Sequence, residues 1–156
     1  MRPIILSVVF AAGFAVAAGD PAGYLQWTSA ERKAIEAKEI QSMGKDKTFV
    51  ALELANFGTH SATMSHRLVS GEAEIHDNTT DVFYVQSGGG EFIVGGTIAD
   101  ARTTGPGETR GTTIKGGVSR KLSPGDIVVI PVKTAHQIVL PKGVTITYLV
   151  MKAKTR

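Results

Sequence analysis

The chain has no cysteine among its 156 residues, which removes disulfides, thiolate nucleophiles, iron–sulfur clusters and cysteine-bound zinc from consideration. Any metal must then be held by histidine and carboxylates. Aromatic surface is also scarce, with one Trp, three Tyr and six Phe, and the net charge is only +3 with neutral histidines. Lys and Arg are scattered, without the basic patch interleaved with stacking aromatics that marks a nucleic-acid interface, so no nucleic-acid partner is expected. Glycine-rich phosphate loops, a dinucleotide fingerprint and a nucleophilic serine motif are missing as well.

What is present begins with a leader. Arg2 precedes an apolar run from Ile4 to Ala18, and the small residues Val16-Ala17-Ala18 stand before Gly19. Residues 1–18 read as a cleavable secretory signal peptide. The run is shorter than the ~20 residues a membrane span requires, so no stable membrane anchor is expected after cleavage. The mature protein is expected to be exported, either periplasmic or secreted. With no twin arginine before the run, the chain is expected to cross unfolded and to acquire any metal outside the cytoplasm. The remaining ~138 residues suffice for one core and exclude a second catalytic domain.

Residues 19–48 read as an N-terminal helical segment, because Thr28-Ser29-Ala30-Glu31 offers a capping box and Ala34, Ile35, Ala37 and Ile40 recur among charged residues. Gly44-Lys45-Asp46-Lys47 ends that pattern. Residues 49–156 alternate short apolar stretches with Gly, Pro and Asn, the rhythm of an all-β domain. Strands are expected at 49–55, 62–68, 73–76, 82–86, 90–94, 112–114, 119–122, 127–130, 137–140 and 145–152. The interval from Gly88 to Gly125, with Gly95-Gly96, Gly105-Pro106-Gly107 and Gly116-Gly117, reads as a hairpin or lid at a barrel mouth, or as a surface loop.

The chemistry-bearing residues fall into two stretches. Side chains alternate faces along a strand, so Glu74 and His76 point the same way, about 7 Å apart at ~3.3 Å per residue. A turn through Asp77-Asn78-Thr79-Thr80 returns the chain antiparallel and brings Asp81 opposite them. His136 arrives from a separate strand after Gly125 and Pro131. This pattern resembles the cupin superfamily. Its first motif runs Gly, five residues, His-x-His, three or four residues, Glu, six residues, Gly; the chain has Glu74-x-His76, Asp81 and Gly88. Its second motif, Gly, five residues, Pro-x-Gly, two residues, His, three residues, Asn, is matched by Gly125, Pro131 and His136, with Lys133 and Leu140 at the departing positions. Glu74 stands where the pattern has its first His, and Asp81 where it has Glu.

The resemblance covers roughly Ala73 to Lys152 and implies a double-stranded β-helix, or jelly-roll barrel, with one N-terminal helix. It also implies a divalent transition metal (Zn, Cu, Mn or Fe) held by Glu74, His76, Asp81 and His136. His66 shares parity with Leu68 and is a candidate catalytic residue or substitute ligand if the even positions of its strand face inward; His60 reads as a loop residue. Phe83, Val85, Phe92 and Ile138 are candidate pocket walls, with Tyr84, Gln137 and Arg67 as polar contacts. Two functions remain open. One is a metal-dependent enzyme of dioxygenase, isomerase or lyase type acting on a small oxygen-rich molecule; the other is a non-catalytic barrel that binds or senses a small ligand or metal. The exposed edges of an open barrel and the helix at 29–41 are compatible with a homodimer.

Overall fold

A computed structural model describes residues 19–155, so the assigned signal peptide lies outside the described residues. Among them, no helix is long and apolar enough to cross a membrane. Helix α1 (Ser29–Ser42) starts where the capping box predicts: the Glu31 amide donates to the Thr28 hydroxyl at 3.2 Å, and the Thr28 amide donates to the Glu31 carboxylate at 2.7 Å.

Thirteen strands follow: β1 (Phe49–Asn56), β2 (His60–Arg67), β3 (Ala73–His76), β4 (Thr79–Gly88), β5 (Gly90–Val94), β6 (Thr97–Ala99), β7 (Arg102–Gly105), β8 (Glu108–Gly111), β9 (Thr113–Lys115), β10 (Val118–Leu122), β11 (Ile127–Ile130), β12 (His136–Val139) and β13 (Ile146–Lys154). They form a five-stranded sheet in the order β1-β2-β13-β4-β11 and a six-stranded sheet in the order β10-β5-β12-β3-β8-β7. All the pairings are antiparallel, as the all-β reading requires. The inward side chains of both sheets, Phe83, Val85, Phe92, Ile138, Tyr148 and Val150 among them, share one apolar core.

The interval between the two motifs is neither a lid nor a surface loop. β8 pairs with β3 and so extends the six-stranded sheet, while β6 and β9 pair with each other. Ile98 and Ile114 of that pair pack on Ala73, Ile75 and Ile93, the outward residues of the sheet. The sequence pattern missed β6, β7 and β8 because each is only three or four residues long and flanked by glycine. Gly88 earns its place by conformation: its φ is +72°, and a Cβ there would meet the Thr145 carbonyl oxygen at 2.0 Å.

Helix α1 lies on the outer face of the five-stranded sheet, held by Glu36. That carboxylate accepts from Gln86 at 2.8 Å, from Thr147 at 2.7 Å and from the Ser87 hydroxyl. A bulge makes this possible: Thr147 pairs with Ser87 but Tyr148 already pairs with Val85, so Gln86 is the extra residue and joins Ser87 in reaching the helix. Beside this cluster, burial pushes the Glu39 carboxyl up to about 7, against the pull of the Leu52 amide and with help from the Glu36 charge. The unfolded carboxyl titrates near 4.5, so the folded state binds the extra proton between these values and loses stability as pH rises from 4.5 to about 7. Burial lowers the facing His66, whose effect runs oppositely: it costs stability as pH falls below its ordinary 6.5. Glu39→Gln should therefore raise the urea stability at pH 8 by about 1–3 kcal/mol while changing little at pH 5. An equal shift at both pH values would show that Glu39 is not the group responsible.

Candidate metal centre

The site is built on β3, whose alternation turns Ala73 and Ile75 outward and Glu74 and His76 inward. Its two neighbours complete the arrangement. On one side β12 pairs His136 with Glu74, and on the other β8 pairs Glu74 with Arg110 and His76 with Glu108. Ligand atoms of Glu74, His76 and His136 lie within 4.8 Å of one another. His76 and His136 are both almost fully buried, their rings 5.2 Å apart. His136 also lies against Phe92 and Phe83, the aromatic wall of the core.

Each imidazole has one nitrogen already engaged. His76 Nδ1 lies 2.7 Å from the Glu108 carboxylate, and His136 Nδ1 lies 3.0 Å from the Thr134 carbonyl oxygen. In a neutral ring both acceptors select the tautomer with the proton on Nδ1, which puts the coordinating lone pair on Nε2. The β12 end is tied down through the preceding turn, where the Lys133 amide donates to the His76 carbonyl at 2.7 Å. Burial drives the His136 imidazole below its ordinary value. For His76 burial acts the same way, but the Asp81 and Glu108 carboxylates outweigh it and the neighbouring Lys152, so the net shift is upward.

Asp81 faces the same space from β4, but it is not one of the three-residue group. Its Oδ2 lies 3.4 Å from His76 Nε2 and accepts from Lys152 Nζ at 2.6 Å. Its Oδ1 is buried without a hydrogen-bond partner among the described residues. Burial alone would raise the Asp81 carboxyl; His76 and Lys152 reverse that and hold it below the usual carboxylate range. Lys152 also donates to His76 Nε2, at 3.0 Å, and so takes the lone pair that Glu108 leaves free.

His66 is not in this space. On β2 the odd positions face inward with Tyr148 and Val150, so His66 points to the opposite side of the sheet, bonded to Thr147 at 2.8 Å beneath helix α1. This rules out a role as ligand or base at the cluster, because the condition for it, even positions of β2 facing inward, is not met. Tyr84 is likewise outward, with the Arg32 guanidinium over its ring, and Gln137 points outward to donate to the Gly71 and Thr112 carbonyls. Arg67 does face inward, donating to the Tyr148 hydroxyl at 3.0 Å. His60 opens β2 and is exposed. Glu108, Arg110 and Lys152 escaped sequence reading, although Lys152 shares parity with Tyr148 and Val150 and could have been placed with them.

Solved structures share this architecture. A cupin-2 domain protein from Rhodospirillum rubrum matches at 18% identity over 70% of this chain, with a TM-score of 0.51; the chain spans 62% of that protein's length. The DMSP lyase DddQ from Ruegeria pomeroyi DSS-3 matches at 17% identity over 86% of this chain and 68% of its own, with a TM-score of 0.55. No protein-family model and no curated protein matches the chain. At these identities the likeness establishes the fold: the chain has the cupin jelly-roll fold, one that hosts many unrelated chemistries.

His66→Ala should cost about 1–3 kcal/mol of stability by removing a buried hydrogen bond and loosening the helix. The imidazole NMR signals of His76 and His136 should not move. Displacement of those signals would return His66 to the site.

Proposed function

We propose that this chain is an exported metal-binding cupin that holds one divalent transition metal on Glu74, His76 and His136 and acts on a small oxygen-rich molecule. The observation carrying this reading is the pair of imidazoles: each has Nδ1 engaged, by Glu108 or by the Thr134 carbonyl, and a ligand atom of each ring lies within 4.8 Å of the other and of a Glu74 oxygen. Unpartnered Asp81 Oδ1 adds a buried oxygen that a cation would satisfy. Two imidazoles and one or two carboxylates suit Zn, Cu, Mn or Fe, and loading outside the cytoplasm favours copper or zinc on affinity. Bound there, such an ion would supply Lewis-acid polarisation or an activated water, the chemistry shared by dioxygenase-, isomerase- and lyase-type reactions.

The protein's own contribution is orientation and exclusion of water. Glu108 fixes the His76 ring, and Arg110 pairs with Glu74 at 3.0 Å, steering its carboxylate. A cavity of about 20 Å³ bordered by Glu74, His136, Arg67 and Tyr148 has room for one water-sized group beside the cluster. A second reading, a barrel that binds or senses without turnover, is favoured by Lys152, whose ammonium sits among the same donors. Export and a homodimer belong to the proposal; the exposed Ile127 and Val129 on edge strand β11 offer an apolar surface for a second copy.

Elemental analysis of the mature protein, purified from its exporting compartment without added metal, tests the reading. Near one equivalent of a single transition metal per chain is expected, with occupancy lost in Glu74→Ala, His76→Ala and His136→Ala while circular dichroism reports an intact barrel. Undiminished occupancy in all three would remove the ligand assignment. Glu108→Gln should weaken metal affinity by roughly 10- to 100-fold without abolishing it, the usual cost of freeing a ligating imidazole.

A further inference from the structure

Lys152 is the feature that the metal-site reading leaves unexplained. It lies on β13 directly across from Asp81 on β4, and its side chain is about two-fifths exposed while Asp81 is buried. The ammonium nitrogen reaches in to donate to Asp81 Oδ2 at 2.6 Å and to His76 Nε2 at 3.0 Å. An ammonium has three protons and no lone pair, so with a neutral imidazole the His76 nitrogen 3.0 Å away is the acceptor. That is the lone pair a metal would need. Ammonium and metal cannot both use it, and two cations sharing so small and dry a space would repel strongly.

Resting on the metal-site reading, we propose that Lys152 is a built-in competing cation. In the metal-free protein its ammonium satisfies His76 and neutralises buried Asp81; metal enters only by turning Lys152 out toward solvent, after which Asp81 is free to coordinate. The geometry supports both halves. Lys152 lies near the end of β13, with a long flexible stem and a partly exposed side chain, so leaving requires no rearrangement of the barrel. Asp81 keeps one oxygen without a partner even with Lys152 in place, so the ammonium meets its needs only in part. The device would let the barrel fold without metal while making metal affinity weaker than the donor set alone would give.

Calorimetric titration with Zn²⁺ and with Mn²⁺ at one fixed pH, on wild type, Lys152→Met and Lys152→Gln, tests this. The substitutions should tighten metal binding by roughly 10- to 100-fold, the range expected from losing a charge-assisted hydrogen bond that the metal must otherwise break. They should also lower the melting temperature of the metal-free protein, because Asp81 is left buried and unpaired, and saturating metal should restore it. Unchanged or weakened affinity in the variants, with wild type binding normally, would overturn the competition while leaving the metal site standing. Binding by none of the three proteins would overturn the site reading and this inference with it. Should either variant fail to fold, amine-reactive footprinting of the wild type serves instead: adding Zn²⁺ should increase labelling of Lys152 relative to Lys133 and Lys154, and unchanged or reduced labelling would sink the proposal.

Discussion

The site depends on one register. β12 meets β3 at a single residue pair, His136 opposite Glu74, and this contact brings the two sequence motifs together across a separation of 62 in numbering. Strand alternation allows no compromise there: a slip of one residue on either strand would turn every inward group to the wrong face. Several backbone hydrogen bonds pin that register. The Gly95 amide donates to the Ala135 carbonyl at 2.8 Å and the Lys133 amide to the His76 carbonyl at 2.7 Å, so the segment entering β12 is fixed to both β5 and β3 before His136 is reached. The hydrophobic core then bears on the same point, since Phe83 and Phe92 pack against the His136 ring.

Alternation was legible in the sequence and facing was not. Glu74 and His76 could be placed on one side of a strand, and Asp81 returned beside them, because a short turn leaves little choice. The Thr28–Glu31 cap was equally readable, being a contact within four residues. His66 shows the limit: its parity with its strand neighbours was plain, yet which parity faces inward is decided by β13, some 80 residues later, where Thr147 is its partner. Lys152 and Glu108 failed for the same reason. Each is an ordinary charged residue in its local stretch; parity with Tyr148 and Val150 gives the face of Lys152, but its partner Asp81, like that of Glu108, comes only through a strand pairing that local periodicity does not encode.

The electrostatics explain why so many charges tolerate this depth. Glu74, Asp81 and Glu108 surround His76, and Arg110 and Lys152 answer two of the three carboxylates directly. Removing charges from water is costly unless hydrogen bonds replace the lost hydration; Lys152 supplies such a bond to Asp81 at 2.6 Å, and Arg110 pairs with Glu74 at 3.0 Å. The cluster nonetheless keeps a buried carboxylate oxygen unsatisfied, which a protein shaped for stability alone would have little reason to retain. A better-paired or apolar barrel interior would fold at least as well.

A second departure from local preference lies on the same path. Lys133 adopts φ +59°, a left-handed conformation that costs a residue with a Cβ about 1–2 kcal/mol, at the position where the cupin pattern has glycine. Glycine would avoid that cost but would also widen the conformational range of the Pro131–Thr134 turn in the unfolded chain. The backbone amide at this position, which any residue but proline would supply, donates to the His76 carbonyl and ties the turn to the strand carrying the buried imidazole. One strained backbone position and one unsatisfied buried oxygen therefore flank His76, while a second group of unsatisfied buried atoms, those of Arg32, Glu39 and Gln86, lies where helix α1 meets the five-stranded sheet. Local conflict of this kind beside a buried imidazole is what a functional site produces, and it stands here independently of any likeness to solved structures.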